Sequence, residues 1–176
     1  MISTLDDYFL DRRMIFINGH IEPEVAADVV KQLLYLDWQN PNQDITMIIN
    51  SPGGNVISGL SIIDTMDFIK PDISVISLGQ SASMASVILS NGTKSKRGAL
   101  PNSEIMIHSV SAGNPYGHVA DIEIQTERIK ELNNTLTDIL ARNCGKSFDF
   151  MYETMSRDTF LSANQALEMG LIDFIV

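Results

Sequence analysis

Cysteine is almost absent: Cys144 is the single one in 176 residues. An internal disulfide is therefore impossible, and no Cys-x-x-Cys metal or redox site can exist, which fits a reducing compartment. Histidine is also scarce, and His20, His108 and His118 show no His-x-x-x-His spacing, so zinc chemistry is unsupported. Positive charge is in short supply, with 12 Lys and Arg against 22 Asp and Glu for a net charge of −10. That balance removes the electrostatic footprint of a nucleic-acid or anionic-membrane binder, and the small cluster Lys94, Lys96, Arg97 does not restore it. No apolar run approaches the ~20 residues needed to span a bilayer. The start, Met1-Ile2-Ser3-Thr4-Leu5-Asp6-Asp7, is acidic and lacks the basic and apolar stretches of a secretory signal. A cytoplasmic protein is expected. Neither the phosphate-binding loop nor the dinucleotide fingerprint is present, since Gly53-Gly54 has no Lys-Ser/Thr or further glycine at the needed distance.

What is present is enough apolar material for a core, 44% of the residues, with no repeat, linker or low-complexity tract. One domain spanning 1–176 is expected. Strand-like and helix-like patches alternate along it. Met14-Ile15-Phe16-Ile17 is an apolar run closed by Asn18-Gly19, and Pro23 opens a helical pattern carried by Val25, Ala26, Val29, Val30, Leu33 and Leu34. Ile45-Thr46-Met47-Ile48-Ile49 reads as a strand that stops at Asn50-Ser51-Pro52-Gly53-Gly54, before a second helix over Leu60, Ile63, Met66 and Phe68. The stretch from Ile73 to Leu78 is a third strand, Gly79-Gln80 a turn, Met84 to Leu89 a helix, and Ile105-Met106-Ile107 a strand ending at His108. Strands that are apolar nearly throughout predict a largely parallel sheet covered on both faces. From about residue 119 to 140 the pattern is a long helix with Ile122, Ile129, Leu136 and Leu132, Ile139 in two rows of a heptad seam. Ser162-Ala163-Asn164-Gln165 is a capping box for a last helix ending at Gly170.

A hydroxyl nucleophile at a strand-to-helix turn is the chemistry these residues offer. Gly79-Gln80-Ser81-Ala82-Ser83-Met84-Ala85 sets two serines after a strand, among residues small enough for a tight turn that leaves an amide facing a substrate oxygen. A serine hydroxyl needs a base, and the base works best with a carboxylate fixing its tautomer. His108 has the right position at a strand end. Asp149, Asp158 and Asp173 all remain open as the carboxylate.

Five motifs in order resemble the proteolytic subunit of the Clp protease (ClpP): Asn50-Ser51-Pro52-Gly53-Gly54; Gly79 to Ala85; Leu100-Pro101-Asn102-Ser103-Glu104-Ile105-Met106-Ile107-His108; Asp121-Ile122-Glu123-Ile124; and Arg157-Asp158-Thr159-Phe160-Leu161-Ser162-Ala163 with Gly170-Leu171-Ile172-Asp173. The resemblance implies Ser83 as nucleophile, His108 as general base and Asp158 as the orienting carboxylate, where the bare Gly-x-Ser-x-Ser pattern would choose Ser81. It implies the amides of Gly54 and Met84 as oxyanion hole. A strand edge over residues 53–57, including Gly53, Asn55 and Val56, and the segment after His108, beginning with Ser109, would grip an extended peptide. It further implies an α/β fold of the crotonase/ClpP kind, a repeated β-β-α superhelix with a head of about 10–108 and 143–176 and a protruding handle of about 109–142. The implied particle is two stacked heptameric rings, homomeric or mixed, forming a tetradecamer fed with unfolded polypeptide by an AAA+ unfoldase; ATP is used by that partner and this chain needs no cofactor or metal.

Departures from the family pattern point to a divergent or accessory paralogue. The chain before Leu10 is short for the family's axial loops, and it stops a few residues early at Val176. Ser109-Val110 replaces the usual Gln-Pro, with one extra residue before Asp121, and Ser156 stands where many members have an acid beside Arg157. The alternatives are a non-catalytic structural or regulatory subunit of a mixed ring and a crotonase-type acyl-CoA enzyme.

Overall fold

A computed structural model describes residues 4–111 and 117–176. The sheet starts from β1 (Met14–Asn18), β2 (Ile45–Ser51) and β3 (Ile73–Ala82), joined by α2 (Pro23–Gln39) and α3 (Val56–Phe68), the crossover helices that parallel neighbours need. β1 pairs parallel with β2 from Met14 opposite Thr46 to Asn18 opposite Asn50, and β2 pairs parallel with β3. Pro23 stands in the first turn of α2, which buries Ala26, Val29, Leu33 and Leu36 at helical spacing. Asn55 caps α3 by accepting the Ser58 amide.

β3 is bent, and the bend organises the rest of the molecule. Ile49 faces Ser77 but Ser51 faces Ser81, so β3 carries two extra residues, and Gly79 in the bulge has φ +83°. A side chain there would meet Asn50 Oδ1, which instead accepts the Gln80 amide. The strand thus continues through the expected turn. Its first half, Val75 to Ser77, pairs with β4 (Arg97–Ala99), and its second, Gln80 to Ala82, with β5 (Glu104–Ile107). A strand bent into two and followed by a helix is the β-β-α unit. α4 (Met84–Ser90) follows β3, and β7 (Phe174–Ile175) completes the sheet beside β4. All these pairings are parallel; β6 (Thr159–Ser162) against β5 is antiparallel. α1 (Leu5–Leu10), α6 (Phe148–Met155) and α7 (Ala163–Met169) bring the helices to seven among the described residues, with α5 (Val119–Cys144) the longest.

Coverage of the sheet on both faces is corrected. Ile15, Ile17, Ile45, Met47, Ile49, Ile73 and Val75 are buried beneath helices, whereas the alternate residues Phe16 and Leu78 are exposed and Ile48 and Ile76 half-buried. An apolar run reads as two-sided burial in sequence even when one face is only thinly covered, here by Phe9 of α1, whose ring centroid lies 4.9 Å from that of Phe16. α5 divides similarly: Leu136, Ile139, Leu140, Ala141 and Cys144 are buried, while Val119 and Ile124 are exposed and Ile122, Ile129 and Leu132 only half-buried. The heptad seam leaves the core in its N-terminal half. The expected one-residue shift in the segment after His108 lies partly outside the described residues. No helix among the described residues is long and apolar enough to cross a membrane.

Candidate active site

The turn from β3 into α4 holds Ser83 at φ 55° and ψ −126°, one of three non-glycine residues with positive φ among those described. Such a conformation costs about 1–3 kcal/mol and persists only where neighbours impose it. Here they do. The Ser83 amide donates to Met106 O (2.8 Å), and its carbonyl accepts from the amide of Ser86 (3.0 Å) and from Ser86 Oγ (2.6 Å). The strained corner lifts the Ser83 hydroxyl out of the sheet to 2.8 Å from His108 Nε2.

His108 comes from the end of β5, which the bend in β3 has brought alongside. β6 supplies the next residue. Ile107 faces Thr159 across the antiparallel ladder, so His108 and Asp158 meet just beyond its end, with His108 Nδ1 3.4 Å from Asp158 Oδ1. Asp158 remains 64% exposed, so this contact is both long and wet. The segment after His108 is tied down at two points: the Ser109 amide donates to Met155 O (2.6 Å) and the Val110 amide to Asn133 Oδ1 (2.9 Å).

Opposite Ser83 lies the 53–54 turn. Ser51 Oγ accepts the Gly53 amide (3.0 Å), and the Gly53 carbonyl accepts from Ile21 (2.9 Å). Gly53 has φ +96°, and a Cβ there would sit 2.7 Å from both Ala82 O and Ser83 Cβ, so only glycine lets this turn rest on the serine corner. The amides of Gly54 and Met84 donate to no acceptor among the described residues, which leaves two unengaged N–H groups on residues that line the same cleft as Ser83. An oxygen anion formed beside Ser83 could accept both.

The peptide-gripping edge differs from expectation. Residues 53–57 are no strand beyond the single bridge of Gly54 to Ile21, because Asn55 caps α3 and Val56 begins it. The amide of Asn55 is engaged by Ile21 O, its carbonyl by Gly59 and its Oδ1 by Ser58, so its main chain is committed to the fold, while Nδ2 has no partner among the described residues. Val56 lines the cleft as the first residue of α3, and Ser109, its amide engaged, faces it as well.

The other candidates are elsewhere. Ser81 is fully buried, and its hydroxyl meets Ser77 Oγ at 2.7 Å rather than the cleft. Asp173 pairs with Arg97, and Asp149 lies in the first turn of α6. Cys144 is buried, and burial pushes its thiol up to about 11 despite nearby Arg97, Lys94 and Lys146, the reverse of what a nucleophile needs. Ser51, Ser86 and Asn133 were missed by the sequence reading. A signal for Ser51 existed, since Ser-x-Gly favours a local turn closed by the hydroxyl, whereas nothing local marks Asn133 on a helix far along the chain. A model of the Clp protease family matches residues 2–176.

Proposed function

We propose that this chain, which belongs to the Clp protease family, is a serine endopeptidase subunit acting through Ser83, His108 and Asp158. The observation that carries the proposal is the 2.8 Å contact between Ser83 Oγ and His108 Nε2 at a strained corner, in a cleft also lined by Gly54 and Met84, whose amides are unengaged among the described residues. In this reading His108 Nε2 takes the Ser83 proton as Oγ attacks the scissile carbonyl, and the resulting oxyanion accepts from the amides of Gly54 and Met84. The tetrahedral centre collapses as His108 returns the proton to the leaving amine. Water, deprotonated by the same imidazole, then releases the acyl group. Asp158 holds the Nδ1 proton and stabilises the imidazolium; a charge-assisted hydrogen bond of about 2.7–2.9 Å requires it to approach by roughly half an ångström.

The substrate in this proposal is unfolded polypeptide. The unaccompanied half of α5 and the exposed Phe16 and Leu78 face of the sheet support assembly into heptameric rings stacked as a tetradecamer, served by an AAA+ unfoldase in the cytoplasm. The chain itself carries no cofactor in this reading. A non-catalytic subunit of a mixed ring is the second reading, favoured by the slack 3.4 Å contact to Asp158. A fluorophosphonate probe separates the two: modification of Ser83, located by mass spectrometry and lost in Ser83→Ala, supports the peptidase, and an unlabelled protein that also hydrolyses no peptide supports the structural subunit.

A further inference from the structure

Beyond the end of β5 two consecutive amides are held by two different helices. β5 stops at Ile107, so His108 is the first residue outside the ladder with β6. The Ser109 amide donates to the carbonyl of Met155, the last residue of α6 and three residues before Asp158; the Val110 amide donates to Asn133 Oδ1 (2.9 Å) in the middle of α5. A further contact joins the two anchors. Thr137 Oγ1, on a fully buried residue, donates to Asn133 O (2.8 Å) and lies 3.7 Å from Met155 Sδ. Ser109, Met155, Thr137, Asn133 and Val110 thus form a closed circuit, with His108 entering it on one side and the chain to Asp158 leaving it on the other.

We infer that Asn133 is a positioning residue for His108: its side-chain oxygen holds the Val110 amide and so sets the direction from which the imidazole meets Ser83 and Asp158. The inference rests on the peptidase reading above. Val110 stands where the family's usual residue is proline, whose ring fixes φ and offers no N–H. Valine removes that restraint and adds a donor, and the bond to Asn133 restores the restraint through the donor. The imidazole depends on such support. Its Nε2 is 2.8 Å from Ser83 Oγ, its Nδ1 is 3.4 Å from a largely exposed Asp158, and no other side chain among the described residues bonds the ring. A misplacement of about 1 Å at such a point can cost about 10²-fold in rate.

The test uses the assembled full-length protein, a fluorogenic peptide, Ser83 labelling by fluorophosphonate, circular dichroism and sedimentation velocity. Asn133→Leu keeps the size and removes the acceptor, so kcat should fall by about 10- to 10²-fold with KM held within about threefold, because His108 acts on the reaction and not on ground-state binding. Asn133→Ala carries the same expectation should leucine disturb α5. Asn133→Asp retains an acceptor oxygen and should keep kcat within about threefold of wild type. Val110→Pro removes the donor, so adding Asn133→Leu to it should change kcat by less than about twofold. Folded Asn133→Leu and Asn133→Ala proteins with wild-type kcat overturn the inference and leave the peptidase reading intact. So does an equal loss with and without Val110→Pro, the mark of a role in packing α5 alone. A loss confined to KM, or one reversed at high protein concentration as particles reassemble, overturns it too. A wild-type protein that neither labels nor cleaves overturns the peptidase reading and this inference together.

Discussion

Asparagine replacements at Asp158 and Asp173 should damage the protein in opposite ways. Asp173 lies against Arg97, whose guanidinium is only 1% exposed while the carboxylate is 13% exposed. Arg97 Nε and Nη2 donate to the two carboxylate oxygens at 2.8 and 2.6 Å, the Arg97 amide adds a third bond at 3.1 Å, and Nη1 is held by the carbonyls of Ser90 and Asn143. Burial by itself would raise the Asp173 carboxyl, but the hydrogen bonds and charge of Arg97 outweigh it and hold the group at about 2, against an ordinary 3.8. A depressed carboxyl stabilises the fold above its unfolded value and loses that contribution as pH falls through the folded one. The window is therefore about pH 4 down to about pH 2, and the amount about 2 kcal/mol at about 1.4 kcal/mol per unit. Asp173→Asn should cost more, about 3–5 kcal/mol, because it also strands a buried guanidinium without its counter-charge. Against a total of about 5–15 kcal/mol that is a large fraction. Asp158, 64% exposed at the end of a strand ladder, should change stability by less than about 0.5 kcal/mol when made Asn, yet reduce peptidase kcat by about 10²–10⁴-fold through loss of the imidazole's orientation. Urea unfolding at pH 7 and between pH 2 and 5, with peptidase rates measured on the folded fraction, reads both effects. A fully active Asp158→Asn enzyme would refute the assigned triad, and an Asp173→Asn protein as stable and as acid-sensitive as wild type would refute the ion-pair argument.

Ser83→Ala should lose at least about 10³-fold in peptide hydrolysis, while Ser81→Ala should keep substantial activity and lose about 1–3 kcal/mol of stability by leaving the buried Ser77 hydroxyl unpartnered; the reverse pattern in the same two assays would move the nucleophile to Ser81. Gly53→Ala places a methyl group 2.7 Å from Ala82 O and Ser83 Cβ at φ +96°, so kcat should fall by about 10²-fold as the serine corner and the Gly54 amide separate, and unaltered kcat would show that this turn does not set the geometry of catalysis. Arg157 is exposed without an ion-pair partner among the described residues. Ser156→Asp should therefore raise both the double-ring fraction and the activity at low protein concentration; sedimentation velocity and peptidase curves that do not move would exclude a need for an acid there.

The amino-acid sequence by itself determined what is local. Pro23 and the Ser162 box start their helices where propensity and capping place them, because those signals act within one helical turn. The short apolar strands and their parallel order were legible from the same kind of pattern. β4, β6 and β7 were not, because none holds more than two apolar residues in a row, whereas β5, no longer than β6, has three; they are strands through their neighbours. Composition and spacing left three aspartates open and the family resemblance implied Asp158; physically, the register of β6 on β5 brings Asp158 beside His108, while Arg97 takes Asp173 into a buried pair. Backbone geometry likewise separates the two serines, of which the bare Gly-x-Ser-x-Ser pattern chose Ser81 and the resemblance Ser83. Two residues apart in an extended chain, the two side chains would share a face; β3 ends at Ala82, and the strained corner at Ser83 turns that hydroxyl toward His108 while Ser81 faces the core. Long-range register and a backbone bend are sums over contacts distant in sequence, so no window of residues contains them.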